Sequence, residues 1–329
     1  MKQIHINELL IMSRKALVIG CTGQDGSYLM KYLLGKGYKV LGTSRSTQKD
    51  NYNHKRLGIN GQFPIIKIDP ANFYEVRELL LQENPNEVYN FSAQSSVGQS
   101  FKHPIETQKS ISLVTISILE ACKSIDFEGT VFFAGSSEIY GNTIKPASID
   151  SAINPKSPYA IAKIESMQLV RLYREIYNLK VVTGVLFPHE SSLRNERFVT
   201  HKIITGAINC LKNKSHKFKI GNLNIERDWG WAEEYIEGIY LITTSKLMKD
   251  QIICTGQSTS LKLFIEKVFQ KLSLNWQDHV VIDKHLFRAR DINKSLGNPL
   301  DMYKDLNWQA DIQIDEIIDR LIESKSKAL

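Results

Sequence analysis

The sequence predicts an α/β fold built on a doubly wound parallel sheet, with a second, smaller, helix-rich substrate domain. Three observations predict it. Short apolar runs alternate with segments of helical spacing as far as Phe187, a glycine-rich turn follows the first apolar run, and beyond Phe187 the texture turns polar in "PHESSLRNERFVTHK". Buried parallel strands read as unbroken apolar runs, and repeated strand and helix alternation assembles them in one sheet.

The elements follow in order. "KALVIG" (Lys15 to Gly20) is the first strand, and "SYLMKYLLGKGY" places Leu29, Tyr32, Leu33 and Lys36 at helical spacing, with Gly35 and Gly37 as the stop. "KVLGTSR" is the second strand, which completes a βαβ unit. The pattern continues through "FPIIKID" as strand, "NFYEVRELLLQE" as helix, "EVYNFSA" as strand, a helix over "SLVTISILEACKS", then the strands "TVFFAGS" and "VVTGVLF". In the second half "LKLFIEKVFQKL" and "DEIIDRLIESKSK" read as helices, and "DQIICTG" returns to the sheet. The sheet domain is therefore expected over 1–187 plus about 228–260, and the second domain over about 188–227 and 261–329. Ligands are expected at the carboxyl ends of the strands.

Composition narrows the function classes. With 329 residues, 42% hydrophobic and 23% charged, the chain is globular and neither disordered nor fibrous. The opening "MKQIHINELLIM" is too short and too polar for a secretory signal, and no stretch approaches the about 20 apolar residues that span a bilayer. Cys21, Cys122, Cys210 and Cys254 are scattered without metal-ligand spacing, so no metal is expected and a reduced, cytoplasmic setting is. The net charge of +7 suits an anionic ligand, while the absence of interleaved basic and aromatic residues argues against nucleic acid.

Gly20, Gly23 and Gly26, in "GCTGQDG", sit between the first strand and the first helix. There glycine permits a tight turn, close approach of backbone N–H groups to a pyrophosphate, and helix packing on the strand, which predicts a dinucleotide site. The second strand ends in "TSRST", with Arg45 where a site for NAD usually carries an acid. A guanidinium there suits the 2′-phosphate of NADP, the alternative being an arginine solvated at a strand end. Asp69, closing the third strand, is placed to reach the adenine or to form a turn.

Tyr159 and Lys163, in "SPYAIAKIES", share a helix face one turn apart. A phenol is a poor base at neutral pH, and a nearby ammonium favours its phenolate. Shortly before them, "AGSSEIYG" ends an apolar strand with two hydroxyls and the carboxylate of Glu138.

The glycine spacing, Tyr159-x-x-x-Lys163 and upstream Ser136 resemble the extended short-chain dehydrogenase/reductase superfamily, whose sheet is of Rossmann type. "TGQDGSYL", "AQSSVGQSF", "SSEIYG", "SPYAIAK", "HESSLR", "FVTHKI", "GNLNIERDWGWAEEYIE" and "FRARDIN" together resemble its GDP-mannose 4,6-dehydratase branch, from about Lys15 to Trp308, with Met12 as a family-like start. The resemblance implies a hydro-lyase acting on a GDP-sugar. In the implied mechanism Tyr159 removes the 4-hydroxyl proton while hydride passes to NADP+, Ser136 bonds the same oxygen, Glu138 takes the C5 proton, and water leaves C6 before the hydride returns there. Ser137 is not acidic, which leaves Glu138 to act as base and acid. An epimerase or 4-keto reductase of the same superfamily needs no C5 base.

The resemblance also assigns Thr22, Gln24, Asp25, Ser92, His189 and Arg194 to the cofactor, and Val199, Lys202, Arg227, Arg288 and Asp291 to the nucleotide sugar. His189 and Arg194 match positions that line the cofactor pocket and a neighbouring subunit's cofactor loop, and "SRSTQKDNYNHKRL" matches that loop, implying a homotetramer. Three positions depart from the family pattern: Ser136 replaces Thr and keeps the hydroxyl, Pro188 stands where an amide side chain contacts the sugar nucleotide, and Asp291 replaces a glutamate. The last two touch recognition, so GDP-mannose, GDP-N-acetylglucosamine and a GDP-heptose remain as substrates.

Overall fold

A computed structural model describes residues 14–46, 51–287 and 290–327. The chain divides into two compact units. The first comprises 1–139, 157–185 and 236–251, and the second 140–156, 186–235 and 252–329.

The first unit is built on a parallel sheet whose strands are β1 (Lys15–Ile19), β2 (Lys39–Ser44), β3 (Ile65–Lys67), β4 (Glu87–Asn90), β5 (Thr130–Ala134) and β6 (Val181–Leu186), with Gln251–Ile253 (β7) as the last. The order across the seven strands is β7-β6-β5-β4-β1-β2-β3. Ala16, Leu17 and Val18 of β1 are fully buried, which is why this strand is written as an apolar run. The order reverses between β1 and β4, where Ile19 lies opposite Asn90. The carboxyl ends of these two strands therefore open the crevice in which such sheets bind ligands.

Helix α1 (Gln24–Gly35) buries Leu29, Met30 and Leu33, and closes where Tyr38 N donates to Leu33 O beside Gly37 at φ 79°. Helices α2 (Phe73–Glu83) and α3 (Val114–Ser124) contribute Val76, Leu79, Ile118 and Leu119 to one core with Leu17, Val88 and Val131. Helix α4 (Pro158–Tyr177) starts sharply, with Pro158 at its first position and Ser157 Oγ accepting from Ala160 N.

In the second unit α5 (Val199–Lys212), α7 (Leu261–Lys271) and α8 (Ile314–Ser326) enclose Ile203, Ile204, Trp229, Phe264, Phe269 and Ile317, whereas α6 (Ala232–Thr244) belongs to the first unit from Ile236 onward. Buried Asp228 ties this unit together, accepting from Thr255 N and Oγ1, Gly256 N and Gly297 N. Burial pushes its carboxyl up to about 6 against those four donors.

The unit boundaries differ from those expected. Residues 140–156 belong to the second unit because Thr143 N donates to Lys294 O, Ala147 N to Leu296 O, and Asn298 N to Ala147 O. These pairings join segments some hundred and fifty residues apart, which no local pattern announces. The return to the first unit runs over 236–251 rather than from about 228. Among the described residues no helix is long and apolar enough to cross a membrane. All four cysteines are buried thiols, and burial pushes Cys21 and Cys122 up to about 12, which leaves them unreactive.

Two glycines test this packing in opposite directions. A Cβ on Gly26 would overlap Gly20 O and lie 2.8 Å from Cys21 Cα, so Gly26→Ala is expected to destabilise the protein by about 1–3 kcal/mol. Gly35 has no atom within 4 Å of that position, and Gly35→Ala should be neutral or stabilising by about 0.5–1 kcal/mol. Urea midpoints at unchanged m value measure both.

Candidate active site

The carboxyl end of β5 carries Gly135, Ser136 and a single 3₁₀ turn, Ser137–Tyr140. A side chain at Gly135 would meet Thr183 Cγ2 at 2.8 Å and Gly184 O at 3.0 Å, so the ends of β5 and β6 close only around glycine. Buried Ser136 accepts from Glu138 N at 3.3 Å through Oγ, which caps the turn and leaves the hydroxyl its own proton to donate. Half-buried Glu138 is thereby held one turn from that hydroxyl.

Tyr159 occupies the first turn of α4 and Lys163 the next. Lys163 Nζ donates to Ala134 O at 2.7 Å and lies 5.7 Å from the centre of the Tyr159 ring. One ammonium thus links the tyrosine to the strand end that bears Ser136 and Glu138. Lys163 is 8% exposed, and burial lowers it to about 8, with the Asp25 carboxylate opposing the shift. It is still an ammonium at neutral pH, the form that favours a phenolate.

Sequence reasoning missed what surrounds this lysine. A π-helical turn, Lys109–Leu113, brings Ile111 against Tyr159 and Ala162. Asn90, Thr115, Ser166 and Thr183 line a small cavity with Lys163, and the buried Thr183 Oγ1 has no hydrogen-bond partner among the described residues. Asn90, an amide ending the apolar "EVYN", was the one legible signal.

At the crevice, Gly20 has φ 83°, and a Cβ there would lie 2.8 Å from Ser92 N and 2.9 Å from Phe91 C. Helix α1 starts from Gly23 without a side-chain cap, while Thr22, Gln24 and Asp25 are half-buried and Gln24 Nε2 donates to Asp25 Oδ1. An uncapped helix N-terminus beside a cradle that any side chain would fill fits the pyrophosphate of a dinucleotide. Ser92 Oγ donates to Asn90 Oδ1 at 2.6 Å at the same strand end. Arg45 is exposed at the end of β2 with no hydrogen bond or ion pair among the described residues. Asp69 is exposed; its Oδ1 accepts from Ala71 N and its own N–H donates to Glu75 Oε2, so one carboxylate oxygen closes a turn at the end of β3.

In the second unit His189 is buried, its Nδ1 2.7 Å from Phe187 O and its ring 4.8 Å from that of Tyr235. Arg194 Nε stands 3.8 Å from the buried Glu190 Oε2, and its guanidinium stacks 3.7 Å from the centre of the Phe198 ring. Val199 opens α5, with half-buried Lys202 a turn later. Buried Arg227 donates through Nη1 to Glu226 O and Ile292 O, with Nη2 3.7 Å from Asp291 Oδ1. The structure thus brings Arg227 and Asp291 together, whereas Arg288 lies outside the described residues.

A model of the GDP-mannose 4,6 dehydratase family matches residues 17–321. GDP-mannose 4,6 dehydratase 1 of Arabidopsis thaliana is 35% identical over 329 residues, which cover 95% of this chain and 90% of the relative. The GDP-mannose 4,6-dehydratase of Vibrio cholerae is 32% identical over 94% of this chain and 93% of its own. Among solved structures, dTDP-glucose 4,6-dehydratase from Bacillus anthracis superposes with a TM-score of 0.82 at 17% identity, over 96% of this chain and 97% of the other, and shares the fold. The chain belongs to the GDP-mannose 4,6-dehydratase family.

Lys163 supplies a pH test. Its folded value near 8 lies below the 10.5 of a free lysine, so between those values the unfolded chain binds the additional proton and stability contributed by this group rises with pH. Lys163→Met is expected to remove that rise, measured as the difference between the two proteins' urea stabilities across the same window.

Proposed function

We propose that this chain is a GDP-sugar 4,6-dehydratase that converts a GDP-hexose, GDP-mannose or GDP-N-acetylglucosamine, into the GDP-4-keto-6-deoxy sugar with NADP recycled within each turnover. The observation that carries this reading is Glu138 on the turn capped by Ser136. Epimerisation or 4-keto reduction would use Tyr159 and Lys163 but leave that carboxylate without a task.

When bound at the glycine cradle, the nicotinamide supplies a hydride acceptor for C4 and returns the hydride at C6. The chain does the rest. Tyr159, held as phenolate by the Lys163 ammonium, takes the proton of the sugar 4-hydroxyl. Ser136 donates to the same oxygen and stabilises the charge that develops on it. The resulting 4-keto group acidifies C5, from which Glu138 removes the proton; the protonated carboxyl then delivers it to the departing C6 hydroxyl, which leaves as water. With Ser137 beside it, Glu138 is the group of this turn able to do both. Once C6 is reduced, C5 regains one proton, balanced by the one Tyr159 took from the 4-hydroxyl, so that the tyrosine ends as phenolate.

Arg45 at the end of β2 supports NADP over NAD, since an exposed guanidinium without partners among the described residues suits a 2′-phosphate. Lys202, Arg227 and Arg288 suit the diphosphate, and Asp291 the ribose hydroxyls. Val199 at the start of α5, with His189 and Arg194, completes the set assigned to the two nucleotides. The names of the relatives favour mannose, while Pro188 and the shortened Asp291 keep GDP-N-acetylglucosamine and a GDP-heptose as competing substrates. A homotetramer in the cytoplasm completes the reading, supported by the family loop at 44–57 and by four buried reduced thiols.

Purified protein incubated with GDP-mannose, GDP-N-acetylglucosamine, a GDP-heptose and a UDP-hexose should remove one water from a single GDP-sugar, read by mass spectrometry. No loss from any of them with NADP+ added would overturn the reading. Glu138→Gln should retain C4 oxidation while elimination falls by about 10²–10⁴-fold; solvent deuterium entering C5 at the normal rate in that variant would sink the assignment. Arg45→Ala should weaken NADP+ by about 10- to 100-fold and leave NAD+ unchanged, measured by fluorescence titration.

A further inference from the structure

Between β2 and β3 the chain makes a short helix, Tyr52–Arg56, whose first turn is capped by Asn51 Oδ1 accepting from His54 N. Two of its side chains turn back onto the glycine loop. Asn53 Nδ2 donates to Thr22 O at 3.0 Å, and His54 Nε2 lies 2.8 Å from Cys21 O. A carbonyl only accepts, so Nε2 carries the proton. His54 is 1% exposed, and its ring meets Phe63 edge-on at 5.1 Å, a placement that allows the imidazole little freedom. Ser27 Oγ donates to the same Cys21 carbonyl at 3.0 Å.

These contacts determine the direction of two peptide groups. In a trans peptide the C=O of one residue and the N–H of the next point in opposite directions, and no cis peptide occurs among the described residues. Gripping Cys21 O from behind therefore aims Thr22 N–H the other way, and gripping Thr22 O fixes the peptide that leads into Gly23, whose own N–H closes the loop by donating to Gly20 O at 3.2 Å and from which α1 starts without a side-chain cap. A glycine-rich loop left to itself would sample many orientations, and ordering it would be charged against ligand binding.

We infer that Asn53 and His54 are positioning residues for the dinucleotide pyrophosphate: they clamp the carbonyl side of the glycine loop so that its amide side is preset for the cofactor. The inference rests on the dinucleotide reading of that loop, and it adds a function to a segment that lies outside the glycine motif and more than twenty-five residues from it. Neither side chain is assigned a contact with the cofactor. The two act through the loop alone, so the effect must be shared by every ligand that carries the pyrophosphate.

The test measures NADP+ and NAD+ affinities by fluorescence titration of full-length protein freed of bound nucleotide. Asn53→Ala and His54→Phe should each weaken both dinucleotides by the same factor, about three- to tenfold, the worth of one hydrogen bond. His54→Gln, which restores an N–H donor, should recover most of the loss; Arg45→Ala, by contrast, should weaken NADP+ alone. Unchanged affinity for both dinucleotides in the clamp variants, or a loss confined to NADP+, would overturn the inference. Should His54→Phe not fold, Asn53→Ala decides, because Asn53 is half-buried and its truncation leaves His54 seated. A wild-type protein that binds neither dinucleotide would overturn the cofactor reading itself, and the clamp with it.

Discussion

The first unit depends on one close approach, that of Gly20 to the backbone of Phe91 and Ser92. The strand order reverses between β1 and β4, so their carboxyl ends are adjacent but their chains depart in different directions. Register sets Ile19 opposite Asn90, and the next residue of β1 must turn at φ 83° with no room for a side chain. Only glycine meets both conditions. From that turn follow the start of α1, the second close contact at Gly26, and the open cradle between the two strand ends. A bulkier residue at Gly20 would push β1 and β4 apart, and with them the register that carries β5 and the hydroxyl and carboxylate at its end.

Lys163 is the corresponding constraint on the chemical side. A nearly buried ammonium is unfavourable, and the structure offsets part of that cost with a short bond to Ala134 O and the field of Asp25. The bond does more than compensate. Ala134 immediately precedes Gly135 and Ser136, so the ammonium beside the Tyr159 ring is tied to the strand end that carries the hydroxyl and the carboxylate. Burial makes the lysine sensitive to its surroundings, and the π-helical turn at Lys109–Leu113 is part of them, since it seats Ile111 on Tyr159. A regular α-helix over those residues would rotate Ile111 off that contact.

Much of this was legible because it is written locally. Unbroken apolar runs marked β1, β2, β4, β5 and β6 since both faces of those strands are covered, and the four-residue spacing of Tyr159 and Lys163 put them on one helix face. What was not legible depends on distant segments. The placement of 140–156 is decided by bonds to 294–298, the roles of Asn53 and His54 by carbonyls some thirty residues earlier, and the lining at Thr183 by a strand that looks like any other buried strand. Asp69 illustrates the limit of residue type as a guide. A carboxylate at a strand end can meet a ligand or close a turn, and the bond from the amide of Ala71 to one of its two oxygens is compatible with both.

The second unit shows how the same physics separates a stable cation from an adaptable one. Arg227 is buried, bound to two backbone carbonyls and faced by Asp291, so its direction is determined before any ligand arrives. A preset guanidinium loses little freedom on meeting a diphosphate, which favours affinity for the part common to all GDP-sugars. Discrimination among hexoses must then come from positions near the sugar ring. In the proposed function Pro188 is such a position. It has no side-chain amide to offer a sugar hydroxyl, and its carbonyl is already engaged by Gly230 N. Losing a polar contact at one position relaxes selection for a hydroxyl without creating selection against it, whereas a site that holds a buried donor rejects a ligand lacking the acceptor far more strongly. In the proposed function the residues assigned to the chemistry are therefore more narrowly determined than the substrate, and the choice of hexose falls to what surrounds Pro188 rather than to Ser136, Glu138, Tyr159 or Lys163.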